Sequence, residues 1–523
     1  MITKKANYLT HRVAHTLILS SIVLLLSCLH ASASGNSAPD LWYSILMRSV
    51  RIGYVHILTK STRYDGQKAV QTSSHTVMRL DLMGNTVEQV TDTTSINDPK
   101  GRPLQQEYRI YSGGSTYRLV ADYGNKSVDC KIDSGGAVNT KIVPIPAGAN
   151  LVADSTSFTI SKSDVPGQKA TVTYLDPLTV SFETATVVIG KKEKVSTGGG
   201  KSTELIKVTA STPIGKMVSW QTRSGEMVRA VMPLGFTMEK ASRKIAMSIG
   251  TTVPGTQVTG GVSGSMSVSS LKKGSSYSPP PDFALATAIS VKTPIQDPRT
   301  LQKMTIQVTG VNDSIQIPND NWQHVTPISG EKGSYQISVN AVAVAPDRSL
   351  TLPITGHPEL LPYLQDGTYL AIHNPAIEKR AAKLKGDDQN AYQVVMRIAE
   401  WVHRTVRPNY TIGVPRSSVD ILKRPVGVCR DYATLFAALA RSVGIPTRLC
   451  AGIVYAEGRF YYHAWDECWL GHWIPVDPTL GGTFVDATHI KFAEGGATNM
   501  YQIAGIVGHI RVKVLSADWP TGR

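Results

Sequence analysis

Between about Asp40 and Pro280 the sequence alternates polar and apolar residues in short runs, and this period of two commits nearly half the chain to antiparallel β-structure. The runs Ser73-Ser74-His75-Thr76-Val77-Met78-Arg79-Leu80, Glu107-Tyr108-Arg109-Ile110-Tyr111 and Ala170-Thr171-Val172-Thr173-Tyr174 carry the pattern. Asp65-Gly66, Gly113-Gly114 and Gly198-Gly199-Gly200 break it as turns. The one place where a short helix is expected is Leu178–Ala185. Residues 34–280 are read as a β-rich domain. One large curved sheet around an apolar ligand and a closed, ligand-free core satisfy the alternation equally. A Gly/Ser/Pro stretch from Gly260 to Pro281 reads as an interdomain linker. Strand-like runs resume at Ala288–Val291, Met304–Val308 and Tyr335–Val339, giving a second β-rich domain or extension over 281–380.

A chain of 523 residues exceeds one ordinary core, and about three domains are expected. Its first residues read as an export signal over 1–33. Lys4, Lys5 and Arg12 precede a short apolar run from Leu17 to Leu26, and Ala31-Ser32-Ala33 offers a cleavage site. A membrane anchor needs about 20 apolar residues, roughly twice this run. Leu25-Leu26-Ser27-Cys28 has the form of a lipidation motif, and lipidation at Cys28 is the one route by which a membrane becomes a partner. The expected location is secreted, periplasmic or cell-envelope. The net charge of +15 falls to about +12 without Lys4, Lys5 and Arg12. That excess favours an anionic envelope polymer as a partner. Nucleic acid is not expected, because zinc-finger spacing, helix-turn-helix patterning and a basic stripe with interleaved aromatics are all missing from the sequence.

Beyond about Asp387 the period changes. Val394, Val395, Ile398, Trp401 and Val402 mark one face of a helix that Pro408 stops. A second helix opens at Gly427-Val428-Cys429-Arg430-Asp431-Tyr432-Ala433 and runs to Val443, with Gly444 in the position of a left-handed cap. Cys429 thus lies in the first turn, where unpaired amides and the helix dipole favour a thiolate. Two strands follow. Alternation places His463, Trp465 and Glu467 on one face of the first, and Gly471 turns the chain so that Asp477 returns beside His463. Nucleophile, base and orienting carboxylate then stand in the order a thiol triad needs. Taken singly, a cysteine or histidine is more often a core residue than a catalytic one. The joint arrangement carries the argument.

The five cysteines make no disulfide scaffold. A turn at Ala456-Glu457-Gly458-Arg459 sets Tyr455 opposite Phe460 and Cys450 opposite Trp465, so Cys450 and Cys468 are not expected to pair. No clustered Cys/His spacing suggests a metal, no EF-hand loop is present, and no cofactor is implied.

These blocks resemble the transglutaminase-like superfamily, whose members share the mechanism of papain-type thiol enzymes. The resemblance rests on Gly427-x-Cys429-x-Asp431-Tyr432-Ala433, Arg441-x-x-Gly444-Ile445-Pro446-x-Arg448, His463-Ala464-Trp465, Asp477-Pro478-Thr479 and the downstream Asp486-Ala487-Thr488-His489-Ile490. It covers about residues 385–500 and implies an α+β catalytic domain over 381–500, with a C-terminal strand and tail over 501–523. It also implies that Cys429 is the nucleophile, His463 the general base and acid, and Asp477 the orienter. Trp465 and Asp431 are expected to pack at the site, and Arg430 and Arg448 to form structural ion pairs. The oxyanion donors are expected to be the Cys429 amide and Tyr410. The expected activity is acyl transfer on peptide or glutamine-type amides of a protein or peptide substrate. Hydrolysis and transfer to an amine remain open, as does the alternative of a non-catalytic envelope binding or adhesion protein.

Overall fold

The computed structural model describes residues 40–82, 84–155, 165–196, 202–251, 282–312, 315–341, 346–481, 485–496 and 499–520. The export signal, Cys28, the Gly198–Gly200 turn and the Gly260–Pro281 linker lie outside the described residues. The chain divides into two compact units, one built mainly from the residues up to Phe283 and one mainly from Ala284 onward.

The first unit is a single fourteen-stranded antiparallel sheet. Eight strands form one meander: β1 (Asp40–Met47), β2 (Val50–Tyr64), β3 (Gln67–Leu82), β4 (Asn85–Asn97), β5 (Pro103–Ser112), β6 (Ser115–Tyr123), β7 (Ser127–Ser134) and β8 (Ala137–Pro144). Six more form a second: β9 (Lys169–Asp176), β10 (Ser181–Ser196), β11 (Ser202–Thr212), β12 (Gly215–Gln221), β13 (Met227–Val231) and β14 (Phe236–Ala241). Pairing of β14 with β1 joins them. The expected turns at Asp65-Gly66 and Gly113-Gly114 have the two successive positive φ values of tight hairpins.

The sheet curls on itself, since the Tyr117 hydroxyl of β6 donates to the Pro177 carbonyl between β9 and β10. Its inward rows mix Tyr43, Ile45, Met78 and Tyr108 with Thr76, Gln89, Thr91 and Gln106, all buried. The short helix expected over Leu178–Ala185 is not formed. The Asp176 carboxylate accepts the Leu178 and Thr179 amides at 2.9 Å, Val180 takes φ +48°, and the chain turns straight into β10. Local side-chain capping of a turn has won over helical spacing there.

The second unit holds Ala284–Arg523 together, so the later β-rich segment, the α+β segment and the C-terminal strand share one unit. Its main sheet takes in β15 (Ile289–Ser290), β21 (Thr447–Ala456), β22 (Arg459–Trp469), β23 (Trp473–Val476) and β24 (Ile490–Gly495). The strands run β15-β22-β21-β24, and β23 also pairs with β22. A four-stranded sheet holds β16 (Lys303–Thr309), β17 (Gln323–Pro327), β18 (Tyr335–Asn340) and the returning C-terminal strand β25 (Arg511–Asp518). Two short strands, β19 (Arg407–Pro408) and β20 (Val426–Gly427), pair in parallel.

The longer helices of the unit are α1 (Pro375–Lys385), α2 (Ala391–Thr405), α3 (Ser418–Lys423) and α4 (Cys429–Ser442). In α2 the expected Val394, Val395, Ile398 and Val402 are buried, and Asn390 caps the first turn through the Gln393 amide. Of α4, thirteen of fourteen residues are buried, which makes it the central helix against which α1, α2 and β22 pack. No described helix is long and apolar enough to cross a membrane.

One glycine fixes the sheet beside the site. Gly452 lies opposite His463, and a Cβ there would stand 1.9 Å from the Ile490 carbonyl oxygen and 2.9 Å from the Trp465 ring. Gly452→Ala is therefore expected to destabilise the unit by about 1–3 kcal/mol in urea unfolding. Gly458→Ala, at a turn with no atom within 4 Å, is expected to cost only left-handed strain, about 1 kcal/mol. Equal losses in the two variants would contradict the close approach.

Candidate active site

The parallel pairing of β19 with β20 delivers the chain to α4, with the Asn409 amide donating to the Gly427 carbonyl at 2.8 Å. Val428 is the extended residue before the helix and offers no hydroxyl or amide cap. Asp431 supplies the cap instead, its carboxylate accepting the Val428 amide at 3.0 Å. A Cβ on Gly427 would meet that carboxylate at 2.4–2.8 Å, so the tight approach requires glycine. Arg430 is buried, donates to the Val414 carbonyl at 2.5 Å and lies 3.5 Å from Asp431. At the far end Gly444 takes φ +83° and its amide returns to Arg441. Cys429 is thereby the first residue of a long buried helix, at the positive end of its dipole.

The imidazole arrives from β22. The hairpin turns at Glu457-Gly458, both with positive φ, and sets Tyr455 opposite Phe460 and Cys450 opposite Trp465, as the sequence predicts. The four described cysteines are free. In β22 His463, Trp465 and Glu467 share one face, and β23 pairs antiparallel up to Asp466–Val476. Asp477 is the next residue, diagonal to His463 on that face. The His463 Nε2 donates to Asp477 Oδ2 at 2.8 Å. The other carboxylate oxygen accepts the Thr479 amide at 2.7 Å and the Leu480 amide at 3.3 Å. No carboxylate or backbone group engages Nδ1 of His463, and Cys429 acts on the imidazole as a hydrogen-bonding and electrostatic neighbour. Cys429 and His463 have 0% exposure and Asp477 2%.

Burial alone would push the His463 pKa down, but Asp477, assisted by Cys429, outweighs it and holds the value up at about 9. Burial would raise the Asp477 carboxyl, and the two imidazoles bonded to it hold it well below the usual carboxylate range. The Trp465 ring lies nearly parallel to His463 at 6.2 Å. Tyr410 stands one residue past Asn409, and so beside the segment that precedes Cys429. Cys450 and Cys468 are fully buried, and desolvation raises both thiols. Burial pushes Cys130 up to about 11.

The sequence reading assigned no role to three residues that complete this cluster. The His489 Nε2 also meets Asp477 Oδ2, at 3.2 Å. Its Nδ1 faces the Asp486 backbone oxygen at 3.2 Å and the Asp486 carboxylate at 3.6 Å. Arg299 reaches that carboxylate at 2.8 Å. The Asp486–His489 spacing was visible in the downstream block. Arg299 had no signal, being separated from its partners by nearly two hundred residues.

Among the described residues two groups of side chains have the spacing of metal donors. In Asp320, Glu467 and Glu494 the place of a cation is taken by the Lys491 ammonium, which lies 2.5–2.6 Å from all three. Arg448 bonds Glu467 and Glu494 as well, at 2.5 and 2.7 Å. In His463, Asp477 and His489 the imidazole–carboxylate hydrogen bonds account for the contacts.

Residues 378–478 match the profile of the Transglutaminase-like superfamily, so the second unit carries a transglutaminase-like domain. An uncharacterized protein of Mycobacterium leprae (strain TN) is 33% identical over 167 residues, which take in 26% of this chain and 57% of the relative. The chain thus spans little more than half the length of that relative. A candidate cysteine protease from Cytophaga hutchinsonii of known structure is similar at 21% identity and a TM-score of 0.30, over 42% of this chain and 90% of that one. A β-barrel-like protein of unknown function from Brucella abortus is similar at 16% identity and a TM-score of 0.28, over 39% of this chain and 94% of that one.

The raised His463 pKa has a stability consequence. The group holds its proton up to about 9 when folded and to about 6.5 when unfolded. Its contribution is therefore complete below pH 6.5 and is lost as pH rises through 9. Wild type is expected to exceed His463→Gln by on the order of 3 kcal/mol near pH 6, in urea unfolding, with the gap closing by pH 10. A gap independent of pH would contradict the assignment.

Proposed function

We propose that Cys429, His463 and Asp477 form a thiol triad that transfers the acyl group of a peptide or glutamine-type amide through a thioester. The observation that carries this reading is the His463–Asp477 bond at 2.8 Å, which spends Nε2 and leaves Nδ1 for the first residue of α4. The Cys429 sulfur attacks the amide carbonyl, and a C–S bond forms. His463 gives its proton to the departing nitrogen as the C–N bond breaks. Water or an amine then attacks the thioester, losing a proton to His463, and the thiolate leaves. The Cys429 amide, with Tyr410 as second donor, stabilises the tetrahedral oxyanion. An exported location and a basic surface that meets anionic envelope polymers belong to the same proposal.

The alternative is a non-catalytic envelope binding module, and one observation favours it. Cys429 and His463 have no exposure at all, so a substrate enters only after the walls of the site move.

Iodoacetamide at pH 6 separates the readings by intact-protein mass spectrometry. An ordinary thiol is less than about 1% thiolate there, and desolvation raises the pKa values of the three other described cysteines. Rapid single labelling of wild type is expected, lost in Cys429→Ala and slowed about 10²–10⁴-fold in His463→Ala. Labelling of Cys429 no faster than a free thiol would leave the binding module standing. Product analysis with and without a primary amine then distinguishes transfer from hydrolysis.

A further inference from the structure

We infer that His489 is a positioning residue for this triad, a buried imidazolium held by Asp486 that shares Asp477 with His463 and limits the basicity of His463. The inference rests on the thiol-triad reading. Its warrant is which atoms face the ring. The Nε2 of His489 meets Asp477 Oδ2, and Nδ1 meets the Asp486 backbone oxygen and carboxylate. Oxygen acceptors stand at both nitrogens, so both nitrogens carry protons. The ring is 1% exposed and meets the Trp465 ring edge-to-face at 5.3 Å, a wall that offers no competing acceptor.

Asp486 is itself fixed as an anion. Arg299 lies 2.8 Å from one carboxylate oxygen, and the Thr488 amide donates to the other at 2.9 Å. The charged groups facing His489 are therefore Asp477, Asp486 and His463, with Arg299 behind Asp486. Lys491, two residues on, is turned to Asp320, Glu467 and Glu494. Burial lowers the pKa of His489 and the two carboxylates more than reverse it, which agrees with the geometry. With the thiol ionised, the series Cys429, His463, Asp477, His489, Asp486, Arg299 alternates in sign and sums to zero. A buried chain of that kind satisfies every charge locally.

The consequence falls on His463, whose ring centre is 5.9 Å from that of His489. A cation at that distance, drawing on the same carboxylate oxygen, makes His463 a weaker base than an undivided Asp477 would. The His463 proton is then easier to give to a leaving nitrogen.

The test is the pH dependence of Cys429 alkylation by iodoacetamide, followed across the step at which His463 loses its proton. Opening of the site scales every rate and leaves the midpoint in place. His489→Gln keeps a donor and removes the charge, and is expected to move the step upward by about one pH unit. Asp486→Asn, which releases the cation, is expected to move it the same way, and the double variant no further than His489→Gln alone. A folded His489→Gln protein whose step stays in place would overturn the inference, as would additive shifts in the double variant. A wild type with no fast thiol and no step would instead remove the triad reading beneath it. Spectra of wild type with 15N-labelled histidine give an independent reading if His489→Gln does not fold. Besides His463, one imidazole is expected to keep both nitrogens protonated after the exposed histidines have lost their protons, and its absence would equally sink the proposal.

Discussion

The pleat of β22 is the constraint on which the second unit depends. Its residues are buried on both faces from Phe460 to Cys468, so neither face tolerates the set that belongs to the other. A slip of one residue against β21 would send His463, Trp465 and Glu467 to the opposite side together. Two local features prevent it. The Glu457-Gly458 turn, left-handed at both positions, fixes the loop length. Gly452 then admits Trp465 and the Ile490 carbonyl where any side chain would collide. Register, close approach and the diagonal position of Asp477 are one fact seen at three places.

That register also governs the buried charges. Glu467 reaches Arg448 and Lys491, the Trp322 indole donates to it, and Arg448 lies over the Trp473 ring at 4.3 Å. Charges taken out of water contribute little net stability, and removing one partner costs several kcal/mol because the other stays buried and unpaired. In this network each of the five charges, Asp320, Glu467, Glu494, Arg448 and Lys491, has an opposite partner. The same reasoning applies to Asp477. Four donors converge on its two oxygens, which holds the carboxylate in one orientation.

How much of this the sequence discloses depends on the range of each interaction. Alternation and Asp-Gly or Gly-Gly turns announced the strands of the first unit, because both signals are local. The fourteen-strand order was not legible, since nothing in β1 or β14 marks them as partners across nearly two hundred residues. The helix expected over Leu178–Ala185 failed because a capping aspartate and a left-handed valine outweigh a weak period. In the second unit the helix ends, the hairpin register, the position of Asp477 and the separation of Cys450 from Cys468 were all readable from spacing. Asp431 was expected to pack at the site and is there as the cap of α4. The Lys491 and Arg299 contacts were not readable, because an ion pair between distant segments leaves no periodic trace.

The boundary of the family match bears on where the chemistry is defined. The matched region ends at residue 478, just past Asp477. The groups that hold this carboxylate's second imidazole come from 486–489 and from Arg299, far upstream. The Ala487 amide donates to the Leu301 carbonyl at 3.0 Å, so the downstream block and the segment leading into β16 are fastened together. The strand β25 closes the same sheet against β16. In the proposed triad the surroundings of His463 follow a chain of contacts running from Arg299 through Asp486 and His489 to Asp477. The groups around Asp477 are therefore drawn from both sides of the matched segment as well as from within it.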